Sequence, residues 1–223
     1  GDVYKRQMIG IWSLENKIVF SIYIDIPEER LDNPGWYDKG IQVTTDKSKV
    51  TKLALLDHAE RIQESQREYA NSIGADYRLF QYDDYYKNFY DKINVDYPEI
   101  SEYDIINFFK HRVLRDMADE YKYVCYMDFD VIPNTNDCIF ASHNVDKMLA
   151  VAEMNRLAIR GKIIKAEDYN ACIRNPASKY WNTHAMLFEE GYDPENDVFN
   201  TGIMAGSSEA VSYTHLRAHE TDR

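Results

Sequence analysis

Cysteine is scarce in this chain: Cys125, Cys138 and Cys172 are all there are among 223 residues. They are odd in number, far apart and form no C-x-x-C pair, which argues against a disulfide framework or a zinc knuckle and leaves reduced, buried thiols as the expectation. Long apolar runs are missing too. The run Ile18–Ile26 falls well short of the roughly 18 residues that cross a bilayer, so no membrane segment is expected in this part of the chain and a cytoplasmic location is. Basic charge is in deficit. With 26 Lys and Arg against 38 Asp and Glu the formal charge is −12, the opposite of the basic footprint of a general nucleic-acid binder, so no nucleic-acid partner is expected. No G-x-S-x-G elbow surrounds any serine and no H-E-x-x-H appears, so nucleophilic hydrolase chemistry is unsupported and His58, His111, His143 and His184 read as structural. What is present is buriable surface, 44% hydrophobic and 13% aromatic, enough for one domain with a sizeable core and too much for a disordered tail.

The two ends read differently from the middle. Gly1-Asp-Val-Tyr-Lys-Arg-Gln7 can be encoded by a string whose reverse complement, one frame over, encodes Val211-Ser-Tyr-Thr-His-Leu216, and that string resembles the transposon end used in preparing sequencing libraries. Arg217-Ala-His-Glu-Thr221 resembles the adapter that continues from it. Residues 1–7 and 211–223 are therefore expected to be translated adapter, and 8–210 an incomplete domain open at both ends. His215 and His219 are set aside as ligands for that reason.

Along the interior, Ile18-Val-Phe-Ser-Ile-Tyr-Ile-Asp-Ile26 is a β-branched and aromatic run ended by Pro27, the pattern of a buried strand. Pro27 to Lys49 reads as a loop. From Lys52, positions Leu55, Ala59, Ile62, Gln66, Tyr69 and Ile73 recur at helical spacing before Gly74, with Gln66 the one polar exception. Asp76–Tyr82 alternates as a second strand. The tyrosine-rich acidic stretch up to Glu102 shows no clear period, and its rings, with Tyr77, Tyr82, Tyr85, Tyr86, Tyr90, Tyr97 and Tyr103 among them, are expected to pack under a loop rather than to stack on a sugar. A helix over Tyr103–Tyr121, with Ile105, Ile106, Phe109, Val113, Met117 and Ala118 on one face, leads into a strand at Tyr123–Met127. Met148–Ala152 and Val198–Met204 are further candidate strands. Strand, helix, strand, helix, strand predicts a helix-covered, mainly parallel sheet.

In an open α/β sheet the ligand sits beyond the carboxyl ends of the strands, and there stand Asp128-Phe129-Asp130. Two carboxylates one residue apart offer hard oxygen ligands to a divalent cation while Phe129 turns back into the fold. A lone D-x-D also describes a solvent-facing or helix-capping loop. Here, however, a helix and an apolar strand lead into it, from Phe108 to Val131, and Val198-Phe-Asn-Thr-Gly-Ile-Met204 follows about seventy residues later.

Together these two motifs resemble the GT-A-fold glycosyltransferases, in particular the glycogenin-like and galactosyltransferase-like retaining families. The resemblance spans most of residues 18–205. It implies a Rossmann-like, three-layer α/β/α sandwich with a mainly parallel central sheet, truncated at the C-terminus. It further implies a metal-dependent glycosyltransferase, a hexosyltransferase in the first instance, using a UDP- or GDP-sugar donor, Mn2+ or Mg2+, and a glycan, protein or lipid acceptor. By the resemblance Asp130 binds the metal, Asp128 shares that task or contacts the ribose, and Asn200, Thr201 and Gly202 line the donor site. Lys110 matches a helix lysine of such families that reaches the donor phosphates or Asp128, although a snorkelling surface lysine fits its sequence position equally. A third metal ligand, often histidine, comes in those families from beyond the F-N-x-G strand. Because the chain turns into presumed adapter at residue 211, the fragment itself is expected to be deficient in activity. Asp128-Phe-Asp-Val131 also resembles the nucleophile motif of haloacid dehalogenase-like phosphatases, but that motif normally opens its domain, and F-N-T-G has no place in that scheme. A non-catalytic sugar- or nucleotide-binding domain of the same fold is the other alternative.

Overall fold

A computed structural model describes residues 16–27, 53, 55–98, 100, 102–153, 191 and 198–213. Most of the expected loop from Pro27 to Lys49, together with Cys172 and His184, lies outside them. The chain divides into one unit of residues 1–149 with 202–223 and a second of 150–201.

The first unit is organised around β1 (Lys17–Ile22), whose six residues are apolar but for Lys17 and Ser21. A strand buried on both faces needs such a continuous run, because neither face meets water. β1 pairs in parallel with β2 (Asp76–Phe80) on one side and with β3 (Tyr123–Met127) on the other. Parallel neighbours cannot be joined by a tight turn, so helices make the crossings. α1 (Ala59–Ser72) joins β1 to β2, and α2 (Asp84–Asp96) and α3 (Glu102–Glu120) join β2 to β3. After the short α4 (Ile139–Ser142) come β4 (Leu149–Glu153) and β5 (Val198–Ser207). The order across the sheet is β2-β1-β3-β5-β4, with β5 antiparallel to β3.

Side-chain alternation along the strands sorts the core into two layers. Ile18, Phe20 and Ile22 of β1 and Val124 and Tyr126 of β3 join Phe80, Tyr86, Phe109, Val113 and Met117 in one cluster beneath α2 and α3. Val19, Cys125 and Met127 join Tyr69 and Ala70 of α1 and Ile73 just past it in the other. Helices thus cover both faces, the expected α/β/α sandwich. Each fully buried Phe or Val contributes about 1.5–3 kcal/mol, and Phe20, Phe109, Val19 and Val124 are all at 0% exposure.

Several expectations are refined by the structure. The segment expected to lack an element contains α2, thirteen residues capped by the Asp83 carboxylate, which accepts from the Tyr86 backbone N–H at 3.0 Å. Its period was hidden because tyrosines stand on both its buried and its partly exposed sides. Tyr86 is fully buried, whereas Tyr97, just past the helix, is 52% exposed. β1 and β2 stop at Ile22 and Phe80, short of Ile26 and Tyr82, while β5 runs three residues past Met204. Gly74 follows α1 with φ +64°, the left-handed residue that a helix end requires. Residues 208–213 are helical, with Ala210 and Val211 buried.

Candidate active site

The strand order places a switch point at the centre of the sheet: from β1 the chain crosses to β2 on one side, and returns to β3 on the other. Beyond the carboxyl ends of two strands that diverge in this way a crevice forms, and ligands of open α/β folds bind there. Asp128 leaves β3 at that point. Phe129 is buried, 6% exposed, and stacks on Tyr23, which follows β1, with ring centroids 4.6 Å apart. The aromatic pair closes the floor between the two strand ends, so the residue between the carboxylates does turn inward.

Asp128 is held through one carboxylate oxygen and through both its backbone N–H and its carbonyl. Its Oδ1 accepts from Lys110 Nζ of α3 at 2.7 Å and from the Tyr126 hydroxyl at 2.5 Å. The Lys110 ammonium also lies 5.4 Å from the centre of the Tyr126 ring, a cation–π approach. The Asp128 backbone N–H donates to Gly202 O of β5 at 2.6 Å, and the Asp128 carbonyl accepts from Val131 N at 3.0 Å, closing a turn over residues 128–131. Lys110 is therefore not a snorkelling surface lysine: its side chain is 12% exposed and paired with a carboxylate that is 32% exposed. Asp130, at the tip of the turn, is exposed. Neither its carboxylate nor Asp128 Oδ2 makes a hydrogen bond within the described residues.

The two sequence motifs meet in the sheet. Met127 stands opposite Ile203, and the Asp128–Gly202 bond continues the ladder by one residue. Asn200 and Thr201 precede Gly202 on β5 and belong to the 150–201 unit; both are half-buried. Among the described residues no group of three or more His, Cys, Asp or Glu side chains stands in metal-binding geometry, and none of the described histidines forms one.

Sequence reasoning missed two residues of this site. In the sequence Tyr126 reads only as part of an apolar strand. Gln66 was noted only as a break in the apolar face of α1, yet it is fully buried, with Oε1 accepting from Ser21 Oγ at 2.6 Å and from the Tyr77 hydroxyl at 3.0 Å. Its Nε2 donates to Asp128 O at 3.1 Å and to Val131 O at 2.8 Å. The available signal was the polar exception itself, since a glutamine on a buried face must find partners for its amide.

A sheet of this order, with Asp128-Phe129-Asp130 leaving β3 beside β5, is the arrangement expected of a GT-A-fold glycosyltransferase. The sequence matches the family described as Glycosyl transferase family 8 over residues 37–219, most of its length, and the chain belongs to that family. It is thus a glycosyltransferase, which takes a sugar from a nucleotide-sugar donor to an acceptor. No curated protein and no solved structure matches it. The phosphatase alternative finds no support, since β1, α1, β2, α2 and α3 all precede Asp128 and its Oδ1 is engaged by Lys110 and Tyr126.

Proposed function

We propose that the protein is a metal-dependent hexosyltransferase of this family, using a UDP- or GDP-sugar and holding Mn2+ or Mg2+ on Asp128 and Asp130. The observation that carries the reading is the 128–131 turn at the switch point of the sheet, which sets one carboxylate in a fixed orientation and leaves its neighbour without a hydrogen bond among the described residues. The donor set fits. Carboxylate oxygens are hard ligands suited to Mg2+ or Mn2+, and such ions keep several positions for water and substrate phosphates. When bound, the cation offsets the charge that builds on the departing nucleoside diphosphate.

The chain's own residues do the positioning. Lys110 and Tyr126 hold Asp128 Oδ1, so the carboxylate keeps one orientation with Oδ2 left for a cation, and the Lys110 ammonium would add positive potential for an anionic donor. Gly202 O accepts from the Asp128 backbone N–H and so ties the metal turn to β5. In this reading Asn200, Thr201 and Gly202 line the donor-sugar pocket, the acceptor is a glycan, protein or lipid, and the enzyme works in the cytoplasm. Among the described residues no helix is long and apolar enough to cross a membrane.

The test is donor hydrolysis by the protein encoded in the gene recovered past Ala210, an independent sequence that also shows whether residues 1–7 and 211–223 belong to it. Hydrolysis of one nucleotide sugar that requires metal and falls about a hundredfold or more in Asp130→Ala is expected. Equal hydrolysis in the presence of a chelator overturns the metal assignment.

A further inference from the structure

Gln66 of α1 is a polar side chain at 0% exposure, and all four of its hydrogen-bonding positions are used. The chemistry of its partners fixes which way the amide points. Asp128 O and Val131 O are carbonyl oxygens that can only accept, so the amide nitrogen must face them. Ser21 and Tyr77 carry hydroxyls that donate, so the amide oxygen faces β1 and β2. Burial raises the Tyr77 phenol above its ordinary range, keeping it protonated and donating. The amide therefore has one orientation, and in it the side chain straps the first and last carbonyls of the 128–131 turn to the helix. Three residues on, Tyr69 continues the strap: its hydroxyl donates to Asp137 O at 3.1 Å and accepts from Ile139 N at 3.3 Å. The same face of α1 thus pins the chain on both sides of residues 132–136.

We propose that Gln66 is a positioning residue for the metal-binding turn: by holding the Asp128 and Val131 carbonyls it sets the angle at which the Asp128 and Asp130 carboxylates leave β3, and so the affinity for the cation. The inference rests on the reading of that turn as the metal site. A hydrophobic side chain here would leave the half-buried Val131 carbonyl without its donor and the Asp128 carbonyl with the Val131 N–H alone, and the turn would relax outward to find water. Residues that orient ligands from behind commonly change metal affinity by about ten- to a hundredfold.

The experiment compares the wild-type protein, Gln66→Met and Asp130→Ala in two measurements: Mn2+ titration in the presence of UDP, and residue-resolved amide hydrogen exchange. Gln66→Met is expected to weaken Mn2+ by about tenfold or more and to speed exchange at Val131, whose N–H closes the turn, while protection in β1 and β3 is retained. A merely structural role would lower protection throughout the sheet, and that result, or unchanged Mn2+ affinity, overturns the proposal. If Gln66→Met does not fold, Ser21→Ala takes its place, since it removes one anchor of the amide and leaves the strap present; a several-fold weaker Mn2+ affinity supports the proposal and an unchanged one overturns it. Absence of Mn2+ binding by the wild type itself refutes the metal reading instead, and faster exchange confined to the turn in Gln66→Met then separately upholds the strap.

Discussion

At Asp128 four groups from four elements meet on one residue: Lys110 from α3, Tyr126 from β3, Gly202 from β5 and Gln66 from α1. The Lys110–Asp128 pair is largely buried, so the cost of desolvating both charges offsets much of their attraction and the pair is weak evidence for stability. Its value here is orientation, because one carboxylate oxygen is occupied and the other is left for a ligand. The cysteines give a separate check at this scale. Burial pushes the Cys125 thiol up to about 12, and its side chain is at 0% exposure. Cys138 is only half-buried. Only the thiolate reacts, so in the native protein at pH 8 iodoacetamide is expected to label Cys138 and spare Cys125, as mass spectrometry of the digest would show. Labelling of both at equal rates would mean that the β3 layer opens readily. Of the residues proposed for the site, the two aspartates stand out in the sequence because a D-x-D after an apolar strand is a local pattern, whereas Lys110 is suggested only by the family resemblance. Gln66 and Tyr126 do not stand out, because their roles come from partners far away in the chain.

The elements that were legible are those whose burial is one-sided or complete. β3 falls on Tyr123–Met127 as expected, and α3 differs from the expected helix by one residue at each end, since its buried positions Ile105, Phe109, Val113 and Met117 recur at helical spacing. α2 was not legible. Three of its apolar positions, Tyr85, Tyr86 and Tyr90, are tyrosines, which can sit buried, as Tyr86 does, or with the hydroxyl reaching a carboxylate at the edge. Tyr85 does the latter, donating to Asp116 of α3 at 2.5 Å, with Arg112 pairing the same carboxylate oxygen at 2.8 Å. Burial and the Asp116 carboxylate raise the Tyr85 phenol to about 12. Burial and Glu102 raise Tyr86 as well. The folded chain therefore keeps these protons at a pH where the unfolded chain, with phenols near 10.0, has lost them. Stability then falls as pH rises from about 10 toward 12. A thermal melting midpoint that drops over that range, less steeply in Tyr85→Phe, is the expected result. Equal slopes in the two proteins would show that the α2–α3 contact is not the titrating element.

For the whole molecule the dominant fact is charge. A chain with formal charge −12 repels a nucleoside diphosphate, itself an anion, and Lys110 is one cation beside two carboxylates. A divalent ion at the 128–131 turn reverses the sign of the local field, so donor binding and metal binding should be linked. The α/β/α architecture was legible at this scale because alternation of strands and helices is a property of the whole sequence. The strand order was not, since nothing local says that β5 returns antiparallel beside β3. The most direct test is calorimetric titration of UDP and GDP into the protein with Mn2+ and with chelator, for wild type and Asp130→Ala. The account predicts binding of one of the two nucleotides that needs Mn2+ and is lost in the variant; equal binding without metal, or binding unchanged by Asp130→Ala, would contradict it.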